Sequence, residues 1–233
     1  MQCLSQRFPS RPEVKKGVTV TSSESNIQAV LFDWGGVITH PPGPIMEKLY
    51  RDVQVDQEKL QSRRKEYRDD DPESQFARLE RGELSLQAYL SWSRSDLPGA
   101  ELIWDPASNH FLFDHLTVVE EVVQRISELR DRGFVTGLLT NNIAEAWPAV
   151  TEGLAVETLF DVVINSAFVG MRKPEHRIYL HAVQQLGVGA ENIVFLDDNQ
   201  VNVKAARACG LNAIQVNQPL RALQQLERAL EEL

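Results

Sequence analysis

The feature that most constrains the fold of this chain is a repeated alternation of short apolar runs with amphipathic helical segments. Runs rich in aliphatic and β-branched residues predict strands at 27–32, 134–139, 162–164, 192–196 and 213–216. Apolar residues at helical spacing separate the runs, as between 118 and 129, where the predicted helix stops at Gly133. Strands that alternate with helices in this way pair in parallel through crossover connections. The sequence therefore predicts an α/β fold, a three-layer Rossmann-like sandwich around a parallel sheet.

The interval between the first two predicted strands has a different character. Residues 43–115 are polar and favour helices, and they include a glycine stop at Gly82 and a predicted helix N-cap at Ser85. We therefore predict a helical cap, residues 43–115, inserted into an α/β core that comprises residues 27–42 and 116–233.

The beginning of the chain resembles neither part. Residues 1–26 are polar, contain Pro9 and Pro12, and lack the apolar stretch of a secretory signal. Their scattered basic residues also fit an organelle-targeting segment, but a segment without a core to pack on is more simply disordered. We predict a disordered or flexible N-terminal extension.

Composition limits the partners and the compartment. The chain of 233 residues carries a formal net charge of -9, the opposite of the clustered positive charge that nucleic-acid binding requires. Its two cysteines, Cys3 and Cys209, lie far apart without metal-ligand spacing, which fits a reducing compartment. No apolar run approaches the ~18 residues of a membrane span. We expect a cytoplasmic protein that binds neither nucleic acid nor membranes, and no sequence feature indicates its oligomeric state.

Polar side chains gather where the predicted strands end. In chain order they are Asp33 with Gly35 and Gly36, Thr140 with Asn141, Arg172 with Lys173, and Asp197 with Asp198. Each group alone is more often structural: a helix cap, a turn or a solvent-facing loop lysine. In a parallel α/β sheet, however, ligands bind at the carboxyl ends of the strands, so these groups are expected to converge.

The converging groups favour a metal and a phosphate as ligands. Asp33, Asp197 and Asp198 at one edge of a sheet would repel each other strongly unless a cation lay among them. Oxygen ligands suit Mg²⁺, which commonly bridges carboxylates to a substrate phosphate. Thr140, the backbone beside it and Lys173 would supply the donors that a phosphoryl group needs.

The order of these motifs resembles the haloacid dehalogenase-like (HAD) hydrolase superfamily, whose members are mostly phosphatases. The matching segments are Phe32-Asp33, Leu139-Thr140-Asn141, Gly170-Met171-Arg172-Lys173-Pro174-Glu175 and Phe195-Leu196-Asp197-Asp198. The resemblance covers about residues 27–232, and the predicted insert lies where the helical C1-type cap of the superfamily lies. Within it, the fourth motif and the Asp-x-Gly-Gly-Val run are similar to the phosphatase-like domains of soluble epoxide hydrolases and of the acyl-CoA dehydrogenase family member 10 type.

The resemblance implies a nucleophile and a metal site. Asp33 would attack phosphorus and form an aspartyl-phosphate, and its other oxygen would bind Mg²⁺. The backbone carbonyl of Gly35 and the carboxylate of Asp198 would complete the protein ligands, while Asp197 would hold a metal-bound water.

The resemblance also implies a phosphate site for a small phosphorylated substrate. Thr140 and the backbone amide of Asn141 would bind the phosphoryl oxygens. Lys173 would neutralise charge between nucleophile and phosphate, a role that suits a compact ammonium group.

Gly35 departs from the superfamily pattern, which has a second acid at this position. That acid protonates the leaving alcohol and then activates water, a contribution typically worth ~10²–10⁴-fold. We therefore expect slow, selective hydrolysis that is least impaired for good leaving groups such as acyl or aryl phosphates. His40, shortly after the motif, is either a substitute acid-base group or an exposed loop histidine.

Three tryptophans have two interpretations each. Trp34 is expected to be a core or cap-interface aromatic rather than a group that stacks on the substrate. Trp92 and Trp104, in the predicted cap, either face the substrate or pack within the cap.

Three functions fit the sequence. The first is a Mg²⁺-dependent phosphatase with a weakened acid-base step. The second is a catalytically poor binding module, which Gly35 favours and the complete set of Asp33, Lys173, Asp197 and Asp198 disfavours. The third is a 2-haloacid dehalogenase-type hydrolase, which has no need of a cation-binding pair of acids.

Overall fold

The protein forms a five-stranded, fully parallel sheet flanked by helices. The computed structural model describes residues 27–68, 71–152 and 154–232, so the predicted N-terminal extension lies outside the described residues. The strands are β1 (Ala29–Phe32), β2 (Val135–Thr140), β3 (Val162–Asn165), β4 (Ile193–Asp197) and β5 (Asn212–Gln215). Their spatial order is β3-β2-β1-β4-β5, and every neighbouring pair is parallel. Each strand overlaps its predicted run, and the predicted parallel sheet is confirmed.

Helices connect the strands. In chain order they are α1 (Pro42–Asp52), α2 (Gln57–Arg68), α3 (Gln75–Glu80), α4 (Leu86–Asp96), α5 (Glu120–Asp131), α6 (Trp147–Glu152), α7 (Val156–Leu159), α8 (Ser166–Val169), α9 (His176–Leu186), α10 (Gln200–Ala208) and α11 (Pro219–Glu232). The predicted N-cap at Ser85 is present, since its hydroxyl accepts a hydrogen bond from the amide of Ala88 in α4. In the part of the chain that the structure describes, no helix has the length and apolarity needed to cross a membrane.

The sheet is buried on both faces. In β1, Val30 and Phe32 belong to one apolar cluster, together with residues of α5 and α11. Ala29 and Leu31 point to the opposite face and join a second cluster with residues of α9 and α10. This alternation follows the two-residue period of a strand. Helices therefore cover both sides of the sheet, which confirms the predicted three-layer arrangement.

The segment between β1 and β2 supplies most of a third apolar cluster, which Ile143 and Ala146 of the core also join. We call residues 43–115 the cap segment; its helices contribute to a cluster that includes Leu49, Tyr89 and Ile103. The two ends of this segment leave and re-enter the core side by side, because Thr39 and Val118 form an antiparallel bridge. An excursion that begins and ends at one place has the geometry of an insertion.

Two ion pairs and one close backbone contact join the cap segment to the core. Glu80, at the end of α3, pairs with Arg172 at 2.7 Å, and both side chains are about nine-tenths buried. Next to it, Arg81 pairs with Glu175 at 3.2 Å. Gly82 has a φ of 67°, and a Cβ atom there would lie 2.5 Å from the carbonyl oxygen of Ala167 in α8. The turn after α3 therefore lies directly against the loop that follows β3.

Gly82→Ala should destabilise the protein more than the matched change Gly187→Ala. Both glycines have left-handed backbone, with φ of 67° and 71°, but a Cβ at Gly187 meets nothing within 4 Å. Gly187→Ala should therefore cost only the backbone strain, about 1–2 kcal/mol. Gly82→Ala should cost a further ~1–3 kcal/mol because it overpacks a backbone carbonyl. Urea unfolding of the two variants measures the difference, and equal losses would contradict the close contact.

Candidate active site

The polar groups at the strand ends meet around one buried lysine. The Nζ atom of Lys173 lies 2.7 Å from Asp33 Oδ1 and 2.7 Å from Asp197 Oδ2. Asp33 directly follows β1, Asp197 ends β4, and Lys173 belongs to the loop between α8 and α9. The structure thus brings together the acids and the base that the sequence placed at separate strand ends.

Lys173 carries its charge in a fully buried position. Its side chain is 1% exposed, and burial alone would lower the pKa of its ammonium group. The carboxylates of Asp197 and Asp33 outweigh that effect, so the pKa of Lys173 rises above its ordinary value. Lys173 therefore remains an ammonium ion.

The carboxylates around this lysine are crowded. Asp33, Asp197 and Asp198 each offer an oxygen atom, and the three atoms lie within 4.8 Å of one another. Burial raises the pKa of Asp33 well above its ordinary value, and Asp197 and Asp198 raise it further against the opposing charge of Lys173. Burial and the neighbouring Asp197 raise the pKa of Asp198 to about 6. Three carboxyl groups thus crowd around one ammonium group.

This set of donors fits a hard divalent cation. Carboxylate oxygens are the protein ligands that Mg²⁺ prefers. Burial, and after it the neighbouring carboxylates, raises the pKa of Asp33 and of Asp198, and a cation beside the two groups would favour their ionised forms. The residues present therefore suit the predicted metal.

Asp197 is held from several sides. Its side chain is fully buried; besides Lys173, it accepts hydrogen bonds from the backbone amide of Asn199 at 2.8 Å and from Asn202 Nδ2, 3.1 Å from each oxygen. A carboxylate with these partners fixes the position of Lys173. No role was predicted for Asn202; its place on the first turn of α10, five residues after Asp197, was the available signal. The predicted water-holding role of Asp197 stays a prediction.

The side chain of Asn141 clamps the backbone of Lys173. Its Oδ1 accepts from the Lys173 amide at 2.8 Å, and its Nδ2 donates to the Lys173 carbonyl at 2.9 Å. This double contact ties the end of β2 to the lysine loop, a role that sequence spacing did not reveal. Thr140 is buried, with its hydroxyl 3.4 Å from the Asn141 carbonyl. The phosphate-binding roles predicted for Thr140 and Asn141 stay predictions.

The two glycines after Asp33 differ in what they permit. Gly36 has a φ of 73°, and a Cβ atom there would lie 2.4 Å from Asp198 Oδ2. A side chain at Gly36 is therefore incompatible with this position of Asp198. Gly35 has a φ of -69°, and its Cβ would meet Pro42 Cγ only at an ordinary 3.7 Å. The backbone at Gly35 thus has room for a side chain.

A cavity of about 410 Å³ extends from these groups into the cap segment. Asp33, Gly35, Asn141, Lys173 and Asp198 line its core end. The residues that line its opposite wall are mainly apolar or aromatic and come from the cap segment, among them Met46, Tyr50, Leu60, Phe76, Tyr89, Trp92, Leu97 and Trp104.

The remaining candidates separate into two groups. Trp92 and Trp104 line the cavity. Trp34 is 6% exposed and packs in the apolar cluster of α5 and α11, so it is a core aromatic. His40 is exposed and is not among the residues that line the cavity, which matches the interpretation as a loop histidine.

A comparison with known protein families identifies the family to which the chain belongs. A family profile described as haloacid dehalogenase-like hydrolase matches residues 27–210. The chain belongs to the haloacid dehalogenase-like hydrolase family. The resemblance drawn from the four motifs is therefore confirmed.

The curated relatives are longer than the matched regions. Acyl-CoA dehydrogenase family member 10 of Mus musculus is 29% identical over 220 residues, which cover 90% of this chain and 20% of the relative. Sesquiterpene phosphatase astK of Aspergillus oryzae is 31% identical over 103 residues, covering 44% of this chain and 53% of the relative. Bifunctional epoxide hydrolase 2 of Rattus norvegicus is 33% identical over 113 residues, covering 46% and 20%. The matches thus span from a fifth to about half of these relatives.

A solved structure confirms the fold. The magnesium complex of a HAD family enzyme from Bacteroides thetaiotaomicron superposes with a TM-score of 0.64 at 18% identity, covering 86% of this chain and 99% of that chain. At this level of identity the likeness concerns the fold alone.

Gly36→Ala should disrupt the site, whereas Gly35→Ala should not. The first change adds a Cβ that collides with Asp198 and strains a left-handed backbone, costing about 1–2 kcal/mol from strain alone. The second should alter stability by less than about 0.5 kcal/mol. Thermal unfolding with and without Mg²⁺ measures both effects. We expect Mg²⁺ to raise the Tm of Gly35→Ala but not of Gly36→Ala; an equal response of the two variants would show that Asp198 need not occupy this position.

Proposed function

We propose that the protein is a Mg²⁺-dependent phosphatase that acts on a small phosphorylated metabolite through an aspartyl-phosphate at Asp33. In this proposal residues 27–42 and 116–233 form the catalytic core, and residues 43–115 form its cap. The observation that carries the proposal is the ion pair of 2.7 Å between Asp33 and the buried Lys173, with Asp198 alongside at the end of the cavity.

Asp33 is held in the manner that a nucleophilic carboxylate requires. Its Oδ1 accepts hydrogen bonds from Lys173 Nζ and from the backbone amide of Trp34, each at 2.7 Å. Two fixed donors on one oxygen set the orientation of the carboxylate plane, so its position does not have to be organised during the reaction. Oδ2 is then the oxygen that attacks.

The proposed reaction proceeds in two displacements at phosphorus. Asp33 forms a bond to phosphorus while the bond from phosphorus to the ester oxygen breaks, and the alcohol leaves with that electron pair and takes a proton from water. A water molecule then attacks phosphorus, the bond to Asp33 breaks, and inorganic phosphate and the free carboxylate are produced.

The other residues of the site would bind either the metal ion or the phosphoryl group. Asp33, Asp198 and the backbone carbonyl of Gly35 would hold Mg²⁺, which supplies charge neutralisation for the phosphoryl group when bound. Thr140 and the backbone amide of Asn141 would donate to phosphoryl oxygens, and Lys173 would offset negative charge as a permanent ammonium ion. Asp197 positions Lys173 through its direct ion pair.

Gly35 determines which esters react well. With no acid at this position, the departing oxygen has no protein group from this motif to protonate it. Esters of alcohols with a low pKa leave without that help, so aryl and acyl phosphates should react fastest.

The family relationship supports this chemistry. One relative is named as a sesquiterpene phosphatase, and one structural neighbour is a magnesium complex of a HAD family enzyme. Both the reaction class and the metal therefore occur among proteins similar to this chain.

Asp33→Asn should abolish hydrolysis of an aryl phosphate in the presence of Mg²⁺. Because the amide is a poor nucleophile, we expect turnover to fall by at least about 10³-fold. Omission of Mg²⁺ from the wild-type assay should have a comparable effect. His40→Gln, at an exposed position outside the cavity, is the control and should retain activity. Full activity of Asp33→Asn would refute the proposed nucleophile.

Gly35→Asp tests the meaning of the missing acid. A Cβ atom at this position makes only ordinary contacts, so we expect turnover of alkyl phosphates to rise by up to about 10²-fold, and that of aryl phosphates to change little. Gly35→Ala is the matched control and should leave both rates unchanged. If the wild type turns over no phosphate and Gly35→Asp does, the binding-module alternative is correct. Metal-independent halide release from 2-haloacids would instead establish a dehalogenase.

A further inference from the structure

We propose that the organic group of the substrate is uncharged and apolar, a ring or a short hydrocarbon chain, and that it binds on an aromatic wall in the cap segment. This inference rests on the proposed phosphatase function and assigns the substrate class of the same site. The wall consists of Phe76, Tyr89, Trp92 and Trp104, all of which line the cavity.

The aromatic wall is a continuous surface. The ring centroid of Phe76 lies 4.7 Å from that of Trp104 and 5.7 Å from that of Tyr89. The Tyr89 centroid in turn lies 5.6 Å from that of Trp92. Aromatic rings at such distances pack directly against one another. The cavity therefore presents one extended aromatic face rather than isolated rings.

Local structure fixes the wall in place. Tyr89 and Trp92 lie three residues apart on α4, so they share a face of that helix. Phe76 is the second residue of α3, whose N-cap Ser74 accepts a hydrogen bond from the amide of Ala77. Trp104 follows a short 3-10 helix, Ala100–Ile103. Rings held on short helices with defined ends offer a preformed surface, which reduces the entropy lost when a ligand binds.

The two ends of the cavity have opposite character. The core end carries Lys173, Asp33, Asp198 and Asn141, which suit a metal and a phosphoryl group. Around the aromatic wall lie further apolar side chains, namely Met46, Leu60, Ala77, Leu97 and Ala100. A ligand that fills both ends is itself polar at one end and apolar at the other.

The size of the cavity limits the ligand. A volume of about 410 Å³ falls in the lower part of the ~300–1,000 Å³ range of small-molecule sites. The cavity can enclose a small hydrocarbon group together with its phosphate. A compact organic group is therefore expected.

Carboxylates of the cap segment also line the cavity, which raises the question of whether the ligand is a cation. Glu80 is neutralised by Arg172 at 2.7 Å, while Glu47, Asp71 and Asp96 also line the cavity. Aromatic rings attract quaternary ammonium groups as well as hydrocarbons. Dimethylbutyl phosphate has the shape of phosphocholine but an uncharged organic group. A comparison of the two esters therefore decides between a cationic and an apolar organic group.

The first experiment measures kcat/KM for a series of unbranched alkyl phosphates from ethyl to octyl, with Mg²⁺ present. We expect kcat/KM to rise about fourfold per added methylene, the factor that corresponds to about 0.8 kcal/mol of burial, until the chain fills the cavity. Glycerol phosphate, a polar ester of similar size to propyl phosphate, should react more slowly than propyl phosphate. Dimethylbutyl phosphate should react faster than phosphocholine.

Substitutions in the aromatic wall test whether it causes the preference for longer alkyl phosphates. Trp92→Ala should lower the ratio of kcat/KM between long and short alkyl phosphates by about tenfold or more. Phe76→Leu, which keeps an apolar side chain, should lower it less. Phe168→Ala removes a ring that is 60% exposed and does not line the cavity; it is the matched control and should leave the ratio unchanged.

Binding measurements separate this inference from the proposed function. Calorimetry of non-hydrolysable alkyl phosphonates with the Asp33→Asn protein should show affinity that rises with chain length and a negative heat-capacity change. If phosphates are hydrolysed but neither rate nor affinity depends on chain length, or phosphocholine is preferred, the inference is wrong and the phosphatase function stands. If phosphonates bind with the expected dependence and no phosphate is hydrolysed, the phosphatase function fails while the apolar subsite stands.

Discussion

The site depends on one buried ammonium group, that of Lys173. A charge removed from water is costly unless it is paired and hydrogen-bonded, and Lys173 meets this condition with Asp33 and Asp197, each at 2.7 Å. Those acids come from the ends of β1 and β4, and Asn141 at the end of β2 holds the lysine backbone. Lys173 therefore contacts residues at the ends of three strands. The contact that permits burial of the polar cluster is also the contact that places a cation beside Asp33, the proposed nucleophile.

Arg172, the residue before Lys173, links this centre to the cap segment. Arg172 pairs with Glu80 of α3, whereas Lys173 pairs with Asp33 at the end of β1. The two adjacent cations of this loop therefore bind acids in different parts of the structure. The backbone of Gly82 lies against α8, in the same connection between β3 and α9. A displacement of the turn after α3 would therefore strain the loop that holds the lysine. The cap segment and the loop that holds Lys173 are thus joined by direct contacts.

The sequence was sufficient for the sheet and for the residues at its edge, because strand periodicity is local and parallel topology places all carboxyl ends together. It did not reveal the side-chain roles of Asn141 and Asn202. Each contact there joins a particular atom across a loop, and residue spacing does not determine such distances. Only half of the aromatic wall was predicted: Trp92 and Trp104 were candidates, whereas Phe76 joins the wall through tertiary contacts with Tyr89 of α4 and with Trp104. Periodicity gives the apolar face of a helix, not its partner.

The two adjacent glycines show how a fold constraint differs from a chemical one. Gly36 has no alternative while Asp198 keeps its place, since a Cβ would lie 2.4 Å from that carboxylate. Gly35 has ordinary backbone and open space, so packing does not require a glycine there. The absence of an acid at Gly35 is therefore a property of the chemistry rather than of the fold. In the proposed reaction, the rate would therefore depend on how readily the alcohol leaves and on how well the organic part of the ester binds, and it is for this binding that the cavity offers aromatic surface.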